Sequence, residues 1–303
     1  MSGRLLIVGT PIGNLDDITL RALRALREAD IIAAEDTRRT AQLLARHGIS
    51  LHALAPAATH PRSPQPHRRL VSYHEFNEAK RTEELLQELQ NGKTVALVSD
   101  AGMPTISDPG QRLIAAVVQY NADCRARSPE GHRADPAKHN PAGTERREGC
   151  HPEPVEGSLS FGKKAEIPRQ ARNDSLIELE IIPGPSAVTM AIAAGSASVS
   201  LAGNHGAFLF YGFLPHKPTQ RRKVLTELAP LPYSLVFFES PYRLVKSLRD
   251  MHELLGNRRA VVARELTKKF EEIIRGDLAA ILKKLENRSV KGEITVVVEG
   301  RHG

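Results

Sequence analysis

"TVALVSDAGMPTISDPG", residues 94–110, decides the fold. An apolar run from Val95 to Val98 stops at Ser99-Asp100 and gives way to Gly, Pro and Asp, after which "QRLIAAVV" begins a helical pattern. That succession is a strand end, a rigid loop and a helix start. In an open parallel sheet the loops beyond the carboxyl ends of the strands hold the ligand, so this loop is a candidate binding site. It carries neither G-x-x-x-x-G-K-[ST] nor G-x-G-x-x-G, and its aspartates, Asp100 and Asp108, repel a phosphate rather than cradle it. A cationic or hydroxyl-bearing ligand suits it better.

The segments upstream repeat the pattern. "GRLLIVGTPIGNL" is a strand and a Gly/Pro turn, with Asp16 or Asp17 available to cap a helix in which Leu20, Leu23 and Leu26 recur at helical spacing. "ADIIAAEDTRRTAQLLARHGI" is a short strand, an acidic-basic turn and a helix closed by Gly48. After a Pro-rich loop, "LVSYHEFNE" and "RTEELLQELQNG" lead into the opening quotation. Strand alternates with helix throughout, the pattern of a parallel α/β sheet.

Between about Asp123 and Asp174 the regularity fails: the large apolar residues are Val155, Leu159, Phe161 and Ile167, among Pro, Gly and charges of both signs. Such a composition buries too little apolar area to offset about 1–2 kcal/mol of backbone entropy per ordered residue. Residues 122–174 are expected to be a disordered insertion within an N-terminal α/β domain, 1–183. A C-terminal α/β domain, 184–303, is expected to follow, opening with "PGPSAVTMAIAAG". Its strands are "AFLFYGFLP", "SLVFFES", "RAVVAREL" and "EITVVVEG", with helices at about 219–229, 241–255 and 276–286.

Composition narrows the function classes. The chain has 303 residues, 41% of them hydrophobic, enough for two domains. No apolar stretch approaches the roughly 18 residues of a membrane span, and "LLIVG" is too short for a signal-peptide core, so a cytoplasmic protein is expected. Cys124 and Cys150 lack C-x-x-C or His-rich spacing, so no disulfide framework or metal site is expected. The formal charge of +7 permits a polyanionic partner without requiring one.

Three Gly/Pro loops, "GTPIGN", "SDAGMPTISDPG" and "IPGPSA", each follow an apolar strand, and together they point to one shared cleft. With "AAEDTRRT", "YHEFNE", "GFLPHK", "FFESPYRL", "ARELTKKFEE" and "KGEITVVVEG" in order, the chain resembles the tetrapyrrole methylase superfamily. Within it, the resemblance is to the branch that 2′-O-methylates a cytidine in the decoding region of 16S ribosomal RNA. It implies an α/β fold: two α/β domains of the tetrapyrrole methylase type, with S-adenosyl-L-methionine in the cleft between them. It also implies a homodimer, acting on the RNA in the 30S subunit. The segments around 52–68 and 122–174 have no counterpart in that pattern.

On this resemblance, Asp100 lies at the donor with Pro11, the backbone of Thr105, Ile106 and Ser107, and the Ser186-Ala187 pair. Glu35 and Asp36, with Arg38 to hold a phosphate, are candidates for the ribose hydroxyl, although Asp-Thr-Arg at a strand–helix junction equally makes a cap with a surface arginine. His74 and Asn77 in "YHEFNE" are a second polar cluster that equally makes a solvated loop. Arg221, Arg222 and Lys268, from basic runs that also suit solvated helix faces, are candidates for RNA phosphates. A methyltransferase acting on a small tetrapyrrole and a catalytically impaired RNA-binding relative are the competing readings.

Overall fold

A computed structural model of the chain describes residues 2–51, 68–105, 108–127, 176–195 and 206–301. The first sheet contains β1 (Arg4–Val8), β2 (Ile31–Ala34), β3 (Arg69–Ser72), β4 (Thr94–Val98) and β5 (Glu178–Ile182), in the order β3-β2-β4-β1-β5. All its pairings are parallel. Successive side chains of a strand point to opposite faces, and here both faces are covered. Leu6, Val8, Ile32, Ala34, Ala96 and Val98 pack on α1 (Leu20–Glu28) and α2 (Thr37–Arg46). Leu5, Ile7, Ile31, Ala33, Val95 and Leu97 pack on α3 (Glu78–Gln90) and α4 (Gln111–Arg127). Burial on both sides is why the central strands β1, β2 and β4 are near-continuous apolar runs, whereas the edge strands β3 and β5 carry polar residues. Each fully buried Leu or Ile contributes about 1.5–3 kcal/mol.

The second sheet is built differently. Its strands are β6 (Phe208–Phe213), β7 (Ser234–Glu239), β8 (Arg259–Arg264), β9 (Glu272–Asp277) and β10 (Ile294–Val298), in the order β6-β7-β10-β8-β9. Only β6 and β7 pair in parallel; β7–β10, β10–β8 and β8–β9 are antiparallel. The parallel arrangement read from the N-terminal alternation of strand and helix holds for the first sheet, while the second sheet is mixed. On one face lie α6 (Pro218–Leu228), α7 (Leu244–Leu255) and α8 (Leu278–Leu285). On the other lies α5 (Ala187–Gly195), whose Val188 and Ala191 share a buried cluster with Val236, Val261, Val297 and Ile12. Ile12 belongs to the loop after β1, so that loop is anchored in the core of the second sheet.

Three local expectations are corrected. Thr19, not Asp16 or Asp17, caps α1 through its hydroxyl; the aspartates sit in a 3-10 turn capped by Asn14. Leu20 is 78% exposed, and the helix buries Ala22, Leu23, Ala25 and Leu26 instead. Residues 122–127 continue α4 with Cys124 buried, so they do not belong to an insertion. The remainder of that proposed insertion, 128–174, lies outside the described residues. Arg68, at the end of the Pro-rich piece, is buried and donates to the carbonyls of Arg27, Ala29 and Ser50.

Candidate active site

The loops that leave β1, β2, β4 and β5 all emerge at the carboxyl edge of the first sheet, the edge where open parallel sheets bind ligands. Close backbone contact holds them together. A Cβ on Gly9 would lie 2.6 Å from the Cα of Gly184, so the "GTP" and "PGP" turns meet only because both positions are glycine. The Thr10 hydroxyl donates to the Ser99 and Gly102 carbonyls, and an isolated bridge pairs Thr10 with Gly102. On the far side the Asn14 amide donates to Thr267 Oγ1 at 3.0 Å, tying the β1 loop to the turn after β8. Thr105, Glu265 and Thr267 hold φ values of +76°, +51° and +64° in these loops. Such strain in non-glycine residues costs about 1–3 kcal/mol each and persists where surrounding structure enforces it.

Between the loops and the second sheet lies a cavity of about 410 Å³, inside the ~300–1,000 Å³ range of small-molecule sites. Its apolar wall includes Ile12, Met103, Val188, Phe213, Phe238 and Ile294. Its polar wall is acidic: Glu35, Asp100, Asp108, Glu239 and Glu293, with Arg39 as the one cation among the described residues that line it. Beside it, a smaller chamber of about 240 Å³ is lined by Pro11, Gly13, Gln42 and Lys268 and shares Ile12, Arg39, Asp100 and Glu293 with the first.

Each carboxylate is placed by its neighbours. Asp100 accepts from the Asp36 amide at 2.9 Å and pairs with Arg39 at 3.4 Å. Glu35 accepts from the Asp100 amide at 3.4 Å. Burial, then the charge of Asp108, hold the Glu35 carboxyl above its ordinary pKa, against opposing pulls from the Asp100 amide and Arg39. Asp108 is raised as well, first by burial, with Asp100 and Glu293 adding to it while a hydrogen bond from Ser99 opposes. Glu239, 2% exposed, is neutralised by Arg243 at 2.9 Å and accepts from Ser240 and Ser247.

The residues singled out from sequence fall into three groups. Glu35, Asp100, Ser186 and Ala187 line the larger cavity, and Pro11 and Lys268 line the smaller. Asp36 caps α2, accepting from the Arg38 amide, and pairs with the Arg38 guanidinium at 2.9 Å, which holds its pKa down at about 2. That is the capping arrangement with a surface arginine. Asn77 closes its own turn, accepting from the His74 amide and donating to Ser72 and the His74 ring; neither it nor His74 lines either of these two cavities. Arg221 is 4% exposed and bound to Asp250 at 2.6 Å, and Arg222 pairs with Asp250 and Glu253. Burial removes Arg221 from any phosphate-facing surface, correcting that expectation. Thr105 lines neither cavity, and Ile106 and Ser107 lie outside the described residues.

Sequence reasoning missed Arg39, Glu293 and the Phe238–Pro241 turn. The signal for Arg39 was present: with Asp36 as N-cap, Arg38 and Arg39 project about 100° apart. Only the packed sheet tells which of them faces the cleft.

The cavity's chemistry fits S-adenosylmethionine, whose sulfonium and ammonium suit an acidic wall and whose adenosine suits an apolar one. Among the described residues no group of three or more His, Cys, Asp or Glu side chains is placed to hold a metal ion, and no helix is long and apolar enough to cross a membrane. The family "Tetrapyrrole (Corrin/Porphyrin) Methylases" matches residues 4–127 and 160–282. "Ribosomal RNA small subunit methyltransferase I" of Thermotoga maritima is 38% identical over 299 residues, covering 99% of each chain. The Halalkalibacterium halodurans protein of the same name is also 38% identical, covering 98% of this chain and 76% of its own. Among solved structures, the methyltransferase CobJ superimposes with a TM-score of 0.57 at 19% identity, covering 100% of this chain and 98% of its own, a likeness of fold. The chain belongs to the tetrapyrrole methylase family and is a methyltransferase whose donor is S-adenosyl-L-methionine.

Proposed function

We propose that the chain methylates 16S ribosomal RNA, and that the acceptor is the ribose 2′-hydroxyl of a cytidine in the decoding region. The observation that carries this reading is the full-length 38% identity to ribosomal RNA small subunit methyltransferases, combined with the acidic cleft. We further propose two domains, 1–183 and 184–303, with the donor between them. Homodimerisation in the cytoplasm completes the reading. Phe208, Tyr211 and Phe213, exposed on the edge strand β6, support the dimer.

When bound, S-adenosylmethionine supplies an electrophilic methyl on a sulfonium. Its positive charge disperses in the transition state, so carboxylates close to it bind the donor more than they speed transfer. Rate then comes from alignment, worth roughly 7–11 kcal/mol, and from removal of the hydroxyl proton. Glu35 suits the second task, since burial makes its carboxylate more basic than an exposed one. Asp36, as the cap of α2, and Asp100, bonded to the Asp36 amide, keep the neighbouring Glu35 loop in register.

The test is transfer of labelled methyl from the donor to 30S particles, with the modified nucleotide then mapped. A 2′-O-methyl makes the adjacent linkage resist alkali, so label in an alkali-resistant cytidine step is the expected result. Label on a base, or transfer to a tetrapyrrole and not to 30S, overturns the reading.

A further inference from the structure

The two chambers are not independent. Both cations lining the smaller one are held by carboxylates that also line the larger: Arg39 by Asp100 at 3.4 Å and Lys268 by Glu293 at 3.1 Å, with Glu265 a second partner for Lys268 at 3.0 Å. The Arg39 side chain is 59% exposed and that of Glu293 58%, so these pairs are weak and exchange partners at little cost. Asp100 and Glu293 are therefore set to exchange a protein cation on one side for a ligand cation on the other.

Resting on the ribosomal RNA reading, we propose that the smaller chamber is the acceptor subsite, taking a ribose and its phosphate, and that donor charge controls it. The cationic donor in the larger cavity satisfies Asp100 and Glu293, which frees Arg39 for an RNA phosphate and loosens Lys268, leaving it Glu265 as its remaining carboxylate partner. In the transfer itself the sulfur–methyl bond breaks with its electron pair left on sulfur, the oxygen–methyl bond forms, and the hydroxyl proton passes to a carboxylate or solvent. The resulting thioether carries no charge at sulfur. Asp100 and Glu293 then recapture Arg39 and Lys268, and the grip on the methylated RNA loosens. Donor and RNA bind with positive coupling, and the spent donor does not support it. By linkage, RNA raises affinity for the cationic donor by the same factor.

The experiment measures binding of the full chain to 30S particles across a salt series, with saturating sinefungin or with saturating S-adenosylhomocysteine. Sinefungin carries an amine near the sulfonium position and cannot transfer a methyl; S-adenosylhomocysteine is the neutral thioether. Affinity about tenfold higher with sinefungin is expected, with a steeper dependence on salt as phosphate contacts are added. Glu293→Gln, a near-isosteric change, should shrink the difference, and Lys268→Gln should weaken binding only in the sinefungin state. Equal affinity with the two ligands in a wild-type protein that methylates 30S overturns the coupling and leaves the ribosomal RNA reading standing. Absence of methylation overturns both.

Discussion

Two clusters of charge in this molecule are built on opposite terms. Between α6 and α7, Arg221, Arg222, Asp250 and Glu253 pair cation with carboxylate at 2.5–2.9 Å, and Arg221 is buried there. In the cleft, Glu35, Asp100, Asp108 and Glu293 outnumber the positive charge around them, and among the described residues neither Glu35 nor Asp108 forms a direct ion pair. A balanced cluster holds helices together. An imbalance maintained against the cost of desolvation leaves a place for a charge that the ligand brings.

The comparison is broken most severely at Glu35. Glu35→Gln should lower methyl transfer by about 10²–10⁴-fold if this carboxylate takes the proton. The same change should raise the melting temperature at neutral pH. Because the folded-state pKa lies above the unfolded value, the ionised form weakens the fold, and wild type regains stability as pH falls through the folded pKa. The stability difference between variant and wild type should therefore close in acid. A melting series that leaves wild type and variant identical at every pH contradicts the desolvation argument.

Arg221→Ala tests the balanced cluster. It leaves Asp250 mostly buried with Arg222 alone as partner, and breaking a buried pair costs about 3–5 kcal/mol. Denaturant unfolding should show that loss, while the salt dependence of RNA binding stays unchanged because the residue never meets solvent. A changed salt slope in a folded variant would return Arg221 to the RNA surface.

The smallest effect is expected from deleting residues 128–159, the span that separates the two segments matched by the family. Its composition offers little apolar area, and loop-closure cost rises only logarithmically with length, so the melting temperature should hardly move. A large loss would mean that the span packs against the fold.

What was legible in the sequence follows the same division. Apolar runs such as Val95–Val98, bounded by Gly and Pro, announced the strands and the loops at their ends, because burial on both faces leaves an unambiguous trace. Strand direction left none: β10 is as apolar as β4 yet runs antiparallel to both its neighbours. β9, "EIIRGD", escaped notice because it is mixed in polarity and lies at a sheet edge. At the site, Asp100 was marked as a ligand-loop residue by its position at a strand end and Ser186-Ala187 by the resemblance to the family, whereas Glu293 and Arg39 depend on how loops from different strands converge. Arg221 misled for the complementary reason: composition records a charge but not the Asp250 that neutralises it.

The central claim, that the excess of carboxylates in the cleft binds a cationic donor, is tested most directly by calorimetric titration of S-adenosylmethionine into wild type and Asp100→Asn. The amide keeps an acceptor for the Asp36 N–H and removes the charge. Charge-assisted contacts contribute about 1.5–3 kcal/mol, so affinity should fall by roughly tenfold or more at an unchanged melting temperature. Equal affinity for the two proteins would contradict the account and reduce Asp100 to a residue that holds a turn.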